Sequence, residues 1–330
     1  MRVLIRVAYD GTDFAGWQKQ PGRRTVEGEL LKALGELFPN QKSILDDRGG
    51  ASAEGRKGTS ARNIGSDPKK AGDHAEASEK QDSNLDASIE LIGGSRTDAG
   101  VHSYGNPAVF DVETRMPAER IAPALNVRLP EDIRVMSSIA VAEDFHPHHV
   151  KSRKTYEYRI RVARTLFPTD RYYFHTVHVP LNVEQMQKAA DCLVGKHDFT
   201  SFSSVHAQVK SRVRTIYELS VSREIRYLPG NGPASGMKAG DHQKSGGVPE
   251  LQEMDVRIRV TGDGFLYNMV RIIAGTLIEV GRGAMSSSSV KEILEAKDRS
   301  LAGPTAPAKG LFLLGTEFLD FEEDQAAHCE

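Results

Sequence analysis

The chain has 330 residues, 39% of them hydrophobic, with two cysteines and a formal net charge of −2. That length suits about two domains and the apolar content supplies proper cores, so the chain reads as soluble and globular. No uninterrupted apolar run approaches the roughly 20 residues of a membrane span, and Cys192 and Cys329 form neither a disulfide framework nor a metal spacing. Met1 leads almost at once into a strand pattern, so no signal peptide is expected. Cytosol is the default compartment, with an organelle stroma or matrix left open. The negative charge conceals a basic remainder. Glu317, Asp320, Glu322, Glu323, Asp324 and Glu330 crowd the last segment without a Lys or Arg, and without them −2 becomes +4. Such modest basicity is compatible with a polyanionic partner, whose attraction depends on where charges cluster.

The opening "MRVLIRVAYDG" alternates Val3, Ile5, Val7 and Tyr9 on one face of a strand and turns at Asp10-Gly11. Val26, Leu30, Ala33, Leu34 and Leu37 then recur at helical spacing, with Thr25 as N-cap and Glu27 and Glu29 near the positive helix end. From 41 to 86 the periodicity vanishes into polar, mixed-charge sequence, expected to be a disordered insertion; 228–250 is expected to be a flexible loop. Between them, "GGSRTDAGVHSYG" sets Arg96, Asp98 and His102 among glycines and small residues, which predicts a shaped loop with Asp98 projecting from a fixed backbone. On this stretch alone, Asp98 either performs chemistry or merely turns the chain.

Strands are expected near 108–112 and 133–141, flanking a short helix at 118–126. In "VKSRKTYEYRIRVA" the strand period puts Lys154, Tyr156, Tyr158, Ile160 and Val162 on one face and Lys151, Arg153, Glu157, Arg159 and Arg161 mostly on the other. A helix follows over 182–195, capped by Asn182 and stopped by Gly195, then strands at 214–224 and 253–262 and an apolar helix at 267–281. A helix at 289–298, whose Ser289 and Glu292 fit a capping box, and a strand at 310–318 complete the pattern. Strands in hairpin-like pairs mixed with helices predict an α+β fold, mainly antiparallel, with the helices packed on one side.

Arg271 lies inside the apolar helix, between Val270 and Ile272. It either snorkels to the surface or meets a carboxylate, because an unpaired buried ion costs about 3 to 5 kcal/mol. Asp98 is the favoured partner. A neighbouring cation lowers a carboxylate's pKa by about 1 to 3, which would keep Asp98 ionised as nucleophile or base. Arg96 suits a contact to Asp98, to a phosphate or to a flipped nucleotide. Tyr156, at the mouth of an aliphatic strand face, is placed to stack on a base or to fill the core. Lys210, Arg212 and Arg214 alternate in "VKSRVR", a stripe suited to phosphates or to a solvated face. His146, His148 and His149 sit too tightly around Pro147 for chelation, and no strand leads into a phosphate or dinucleotide loop, so neither metal nor nucleotide cofactor is expected.

At "SRTDAGVHSYG" the sequence resembles the TruA family of tRNA pseudouridine synthases, whose hallmark is a G-R-T-D-A-G-V-H loop. "YDGTDFAGWQKQP", "ALNVRLPEDIRV", "DFHP", "KTYEYRI", "HDFTSF", "RTIYELSV", "GDGFLYNMVRIIAGTLIEVG" and "AKDRSLAGPTAPAKGLFL" resemble the family's segments, in its order. The resemblance covers the chain outside the two insertions. It implies that Asp98 is the essential aspartate, Tyr156 the tyrosine stacked on the target uracil, Arg271 the aspartate's basic partner and Arg96 the arginine that displaces the target nucleotide. It implies isomerisation of uridine to pseudouridine in the anticodon arm of tRNA, at positions 38 to 40, without metal or cofactor, by a homodimer whose tRNAs span both subunits. The alternatives are a synthase for other RNAs, or an RNA-binding relative without activity. The implied architecture is two similar α+β halves, 1–149 with the Asp98 loop and 150–320, whose antiparallel sheets meet at a central cleft, followed by an acidic tail at 321–330. Four departures stand out: Ser95 for the loop's first glycine, Asn106-Pro107 for Gln-Val, His148 for an arginine, and the insertions.

Overall fold

The fold is described from a computed structural model, for residues 1–39, 89–205, 209–225 and 253–321. The expected insertions at 41–86 and 228–250, and all of the acidic tail beyond Phe321, lie outside the described residues. In chain order the regular elements are β1 (Arg2–Tyr9), α1 (Val26–Leu37), β2 (Ile92–Gly93), β3 (His102–Asp111), α2 (Ala118–Asn126), β4 (Ile133–Val141), β5 (Ser152–Val162), β6 (His175–Val177), α3 (Val183–Asp191), β7 (Gly195–Asp198), β8 (Val213–Ile225), β9 (Met254–Gly262), α4 (Met269–Gly281), α5 (Ser289–Ala296) and β10 (Leu311–Phe318). Among the described residues, no helix is long and apolar enough to cross a membrane.

The strands form one mostly antiparallel sheet in the order β4-β1-β3-β10-β5-β9-β8-β7, with β2 beside β3 and β6 beside β5. Alternation in β1 sends Val3, Ile5, Val7 and Tyr9 into a core with Val26, Leu30 and Leu34 of α1 and Ile121 and Leu125 of α2, while Leu4 enters a smaller cluster on the other face. A second core joins Tyr158, Ile160 and Val162 of β5 and Val256, Ile258 and Val260 of β9 to Met186 of α3, Leu277 of α4 and Ile293 of α5. Ser103 pairs with Tyr9 on one side and Leu313 on the other, which puts both cores on the same face of the sheet. The α+β expectation therefore holds, with the helices gathered on that face.

Local signals held in some places and failed in others. Thr25 caps α1 through its hydroxyl, which accepts from Gly28 N at 3.2 Å, and Asn182 caps α3 by accepting from Gln185 N at 3.1 Å. The capping box on α5 is absent: Ser289 is its first residue, and its backbone N–H is taken 3.1 Å away by the hydroxyl of Ser286. Gly195 does not stop α3, which ends at Asp191; with φ of +115° it instead turns the chain into β7. The outer side of β5 carries charge as expected, exposed at Lys151 and Arg153 and enclosed further along the strand. Glu157 and Arg161 are only 1% and 3% exposed. Glu157 accepts from Arg159 (2.9 Å) and Arg259 (3.0 Å), while Arg161 bonds Asp170 and Asp255 and lies 4.0 Å over the ring of Phe174. The segment around 168–174 covers Arg161, while Glu157 is enclosed by Arg159, Arg257 and Arg259, so these two charges are met by side chains of opposite sign.

Candidate active site

The loop between β2 and β3 carries Asp98, and its shape is imposed by the segment after β1. A side chain at Gly11 would collide with the carbonyl of Val101, and one at Gly16, where φ is +104°, would sit 2.8 Å from Thr97 O. Glycine at both positions lets two backbones touch. Hydrogen bonds then hold them together: Trp17 N to Thr97 O at 3.1 Å and Gly100 N to Phe14 O at 3.3 Å. The hydroxyls of Tyr9 and Thr97 lie 2.7 Å apart in a buried contact, and burial pushes the Tyr9 phenol up to about 12. At the loop's end, His102 is held from both ends of its ring. Burial keeps the imidazole pKa below its usual value, so it is neutral: Nδ1 accepts from Gly11 N at 3.1 Å, and Nε2–H donates to Tyr172 O at 3.0 Å. Asp10, beside the same ring, accepts from the hydroxyl of Tyr173 at 2.6 Å.

Two of the sequence departures belong to this support. Asn106 donates through Nδ2 to Ser95 O at 2.8 Å, and Pro107 O accepts from Gly94 N at 2.7 Å. The unusual residues therefore contact the loop's own base, where they act together.

Asp98 faces Arg271. Its Oδ2 lies 3.2 Å from Arg271 Nη1, across 173 residues of sequence. The guanidinium is fixed from two further directions, donating through Nε to Ala306 O at 2.8 Å and through Nη1 to Asn268 Oδ1 at 2.9 Å. Asn268, just before α4, adopts the left-handed conformation with φ of 62°, which asparagine tolerates better than most residues. That turn aims the first turn of α4, and Arg271 with it, at the loop. The expected depression of Asp98 is not what the environment produces. Burial raises its pKa and outweighs the lowering by Arg271, so the carboxylate is held above its usual range.

Tyr156 projects from β5 into the same cleft of about 740 Å³, lined also by Arg96, Asp98, Arg271, Phe265 and Leu266. It is only 8% exposed and meets Phe265 edge-on, with centroids 5.3 Å apart at 86°. Burial, with Tyr9 and Asp98 nearby, pushes its phenol far up, so the ring stays neutral. Arg96 is exposed at the rim of the cleft. The structure thus assembles Asp98, Arg96, Arg271 and Tyr156 around one opening. Lys210, Arg212 and Arg214 do not line it. Lys210 and Arg212 precede β8, and Arg214 is occupied with the carbonyls of Ser211 (3.0 Å) and Val213 (2.7 Å). Sequence reasoning missed Asn268, Phe265 and the place of Lys154 in the cleft. The stretch "GFLYNMVR" held a signal for Asn268, an asparagine immediately before a helix.

An acid on a rigid loop, a buried cation against it and an aromatic wall beneath an open cleft define a site for chemistry on a planar, detachable group. A family model described as tRNA pseudouridine synthase matches residues 5–149 and 189–318, which include Asp98, Arg96 and Arg271 but not Tyr156. Similar curated proteins are the tRNA pseudouridine synthase A of Bacillus subtilis, 36% identical over 95% of this chain and 97% of that protein, and that of Exiguobacterium, 34% identical over 96% and 98%. The corresponding protein of Limosilactobacillus reuteri is 35% identical over 96% of each. The chain belongs to the TruA family of tRNA pseudouridine synthases.

Proposed function

We propose that this protein isomerises uridine to pseudouridine in the anticodon arm of tRNA, at positions 38 to 40, in the cytoplasm. The observation that carries this reading is the Asp98–Arg271 pair at 3.2 Å beside Tyr156 in one open cleft. In the reaction the N1–C1′ bond breaks, the uracil turns, C5 bonds to C1′ and gives up its proton, and N1 takes up a proton in place of its lost bond, so the product is an isomer of the substrate and no cofactor is required. The uridine must first leave the base stack, which costs a few kcal/mol. Arg96 at the rim serves that displacement, and Tyr156 receives the extruded ring by stacking. Asp98, backed by Arg271, acts as nucleophile or base. Lys210, Arg212 and Arg214 contact tRNA phosphates outside the cleft.

The catalytic cleft, in this reading, lies where two α+β halves meet, 1–149 supplying Asp98 and 150–320 supplying Tyr156 and Arg271. The enzyme acts as a homodimer with each tRNA spanning both subunits. Support for a second copy comes from the exposed Tyr104 (52%) and Met136 (64%), which border a largely apolar hollow with Tyr173 and Phe174. Incubation with unmodified tRNA transcripts and mapping of pseudouridine, beside Asp98→Asn, tests the activity. Pseudouridine at 38 to 40 from the unaltered protein and none from Asp98→Asn is expected. Product elsewhere would overturn the target, and equal product from both proteins would overturn the role of Asp98. Sedimentation of the free protein at the mass of one chain would overturn the dimer.

A further inference from the structure

The cleft holds more basic side chains than the Asp98–Arg271 pair uses. Its lining includes Arg96, His148, Lys154 and Arg271, against Asp98 as its one carboxylate among the described residues. Asp98 is already engaged by Arg271. Lys154 lies on β5 two residues before Tyr156, on the same face and about 7 Å away along the strand. Its ammonium donates to Gly94 O at 2.6 Å, and that carbonyl is its one hydrogen-bond acceptor among the described residues. An ammonium has three N–H donors, so two remain unmet. Arg96 makes no hydrogen bond or ion pair among the described residues, and His148 is exposed on the turn opposite. Burial holds Lys154 down to about 8, as expected of a partly enclosed cation without a counter-charge. The His148 imidazole is likewise held below its usual value, by burial and then by Lys154, His146, Arg96 and His149. Lys154 and Arg96 thus oppose protonation of His148 in the free protein, and an anion among the three relieves that opposition.

We propose that Lys154, His148 and Arg96 form a phosphodiester subsite that grips the RNA backbone beside the target nucleotide while its base lies on Tyr156. The inference rests on the synthase reading above and deepens it. A purely structural role for Lys154, propping the carbonyl of Gly94, would leave the surplus of positive charge without a purpose. A phosphate beside the base satisfies the free donors of Lys154, supplies the missing negative charge and fixes the extruded nucleotide at a second point, one strand period from the ring. The subsite is separate from Lys210, Arg212 and Arg214, which lie outside the cleft lining.

The test removes the charge from each side in turn. Ligated tRNA carries a neutral methylphosphonate in place of the phosphodiester immediately 5′ or 3′ of the mapped uridine. Affinity is measured in the Asp98→Asn background, so that the substrate persists, with Lys154 intact or Lys154→Gln. One of the two phosphonates should weaken binding about tenfold when Lys154 is present, Lys154→Gln should weaken ordinary tRNA by a similar factor, and the combination should add little more. The salt dependence of binding should lose about 0.7 from its log–log slope in Lys154→Gln. Losses that simply multiply for both phosphonates would overturn the subsite. If Lys154→Gln lowers the melting temperature, the exposed His148→Ala and the charge-conserving Lys154→Arg replace it. His148→Ala should show a smaller coupling of the same sign and Lys154→Arg should restore the full phosphonate effect, while no coupling in either would overturn the proposal. Active, uncoupled protein would sink the subsite alone, whereas unaltered protein that makes no pseudouridine in tRNA would sink the synthase reading and the subsite with it.

Discussion

Replacing Arg271 by methionine removes the guanidinium while keeping an unbranched side chain of similar reach. Its Nη1 stands 3.2 Å from Asp98 Oδ2, with the two side chains 18% and 19% exposed. At an effective dielectric constant of about 20, unit charges about 4 Å apart attract by about 4 kcal/mol. The open side of the cleft screens roughly half of that, leaving about 2 kcal/mol in favour of the ionised carboxylate. Asp98 is already held above its usual range by burial, so losing the cation moves it further in the same direction. The ionised carboxylate exists above the folded-state pKa and is lost as pH falls through it. The acid limb of activity should therefore move to higher pH in Arg271→Met. Stability follows the same titration with the opposite consequence. An unpaired buried carboxylate is most unfavourable when ionised, so the variant's deficit in Tm should be larger at pH 8 than at pH 5. Single-turnover release of tritium from C5 of labelled uridine, followed across this range, reads the first effect, and thermal unfolding reads the second. An acid limb that stays in place, or a Tm deficit that grows on acidification, would refute the account of the pair.

Asp98→Asn should keep fold and tRNA affinity while abolishing isomerisation; any measurable pseudouridine from the verified variant would remove Asp98 from the chemistry. Tyr156→Phe should retain most activity and Tyr156→Ala should lose far more, because stacking needs the ring; equal losses would implicate the hydroxyl instead. Gly16→Ala should destabilise by about 1 to 3 kcal/mol and slow turnover, since its φ of +104° and the 2.8 Å approach to Thr97 O leave no room for a methyl group. A variant with unchanged Tm would show that the loop is not held from this side. Burial alone would raise Glu157, but the bonds from Arg159 and Arg259 outweigh it and hold its carboxyl below the usual range. Its contribution is therefore present above the ordinary glutamate value and lost as pH falls through the lower folded one, so Glu157→Gln should flatten the acid side of the Tm profile. A profile that keeps its acid slope would assign that slope to other groups.

Much of this was legible in the sequence because the relevant forces are local. Val3, Ile5, Val7 and Tyr9 announce a strand with one buried face, and Thr25 and Asn182 announce helix starts, since alternation and capping involve only near neighbours. Arg271 in an apolar helix announced a partner for the same reason, that an unpaired ion in that setting is too unfavourable to persist. What could not be read locally was how burial and charge would balance. Asp98 has its cation as expected, yet enclosure by the loop and α4 outweighs that cation, a result set by residues far apart in the chain. The same holds for the outer side of β5, where the strand period placed Glu157 and Arg161 opposite Tyr156 but not their partners, Arg259 for Glu157 and Asp170 and Asp255 for Arg161, which come from distant segments. The α5 capping box failed because serine recurs four times from 286 to 289, and the pattern does not say which hydroxyl turns inward.

β10 is the last regular element in chain order among the described residues, yet it lies in the middle of the sheet, between β3 and β5. It pairs with β5 over most of its length and with β3 only at His102↔Phe312 and Ser103↔Leu313. Until residues 311–318 have left the ribosome, both neighbours present open hydrogen-bonding edges, and the strand carrying Tyr156 has no fixed register against the loop carrying Asp98. The cleft therefore forms only after residues 311–318 have been made. A nascent or prematurely terminated chain would expose two adhesive strand edges, making it a substrate for chaperones and proteases rather than a slower enzyme.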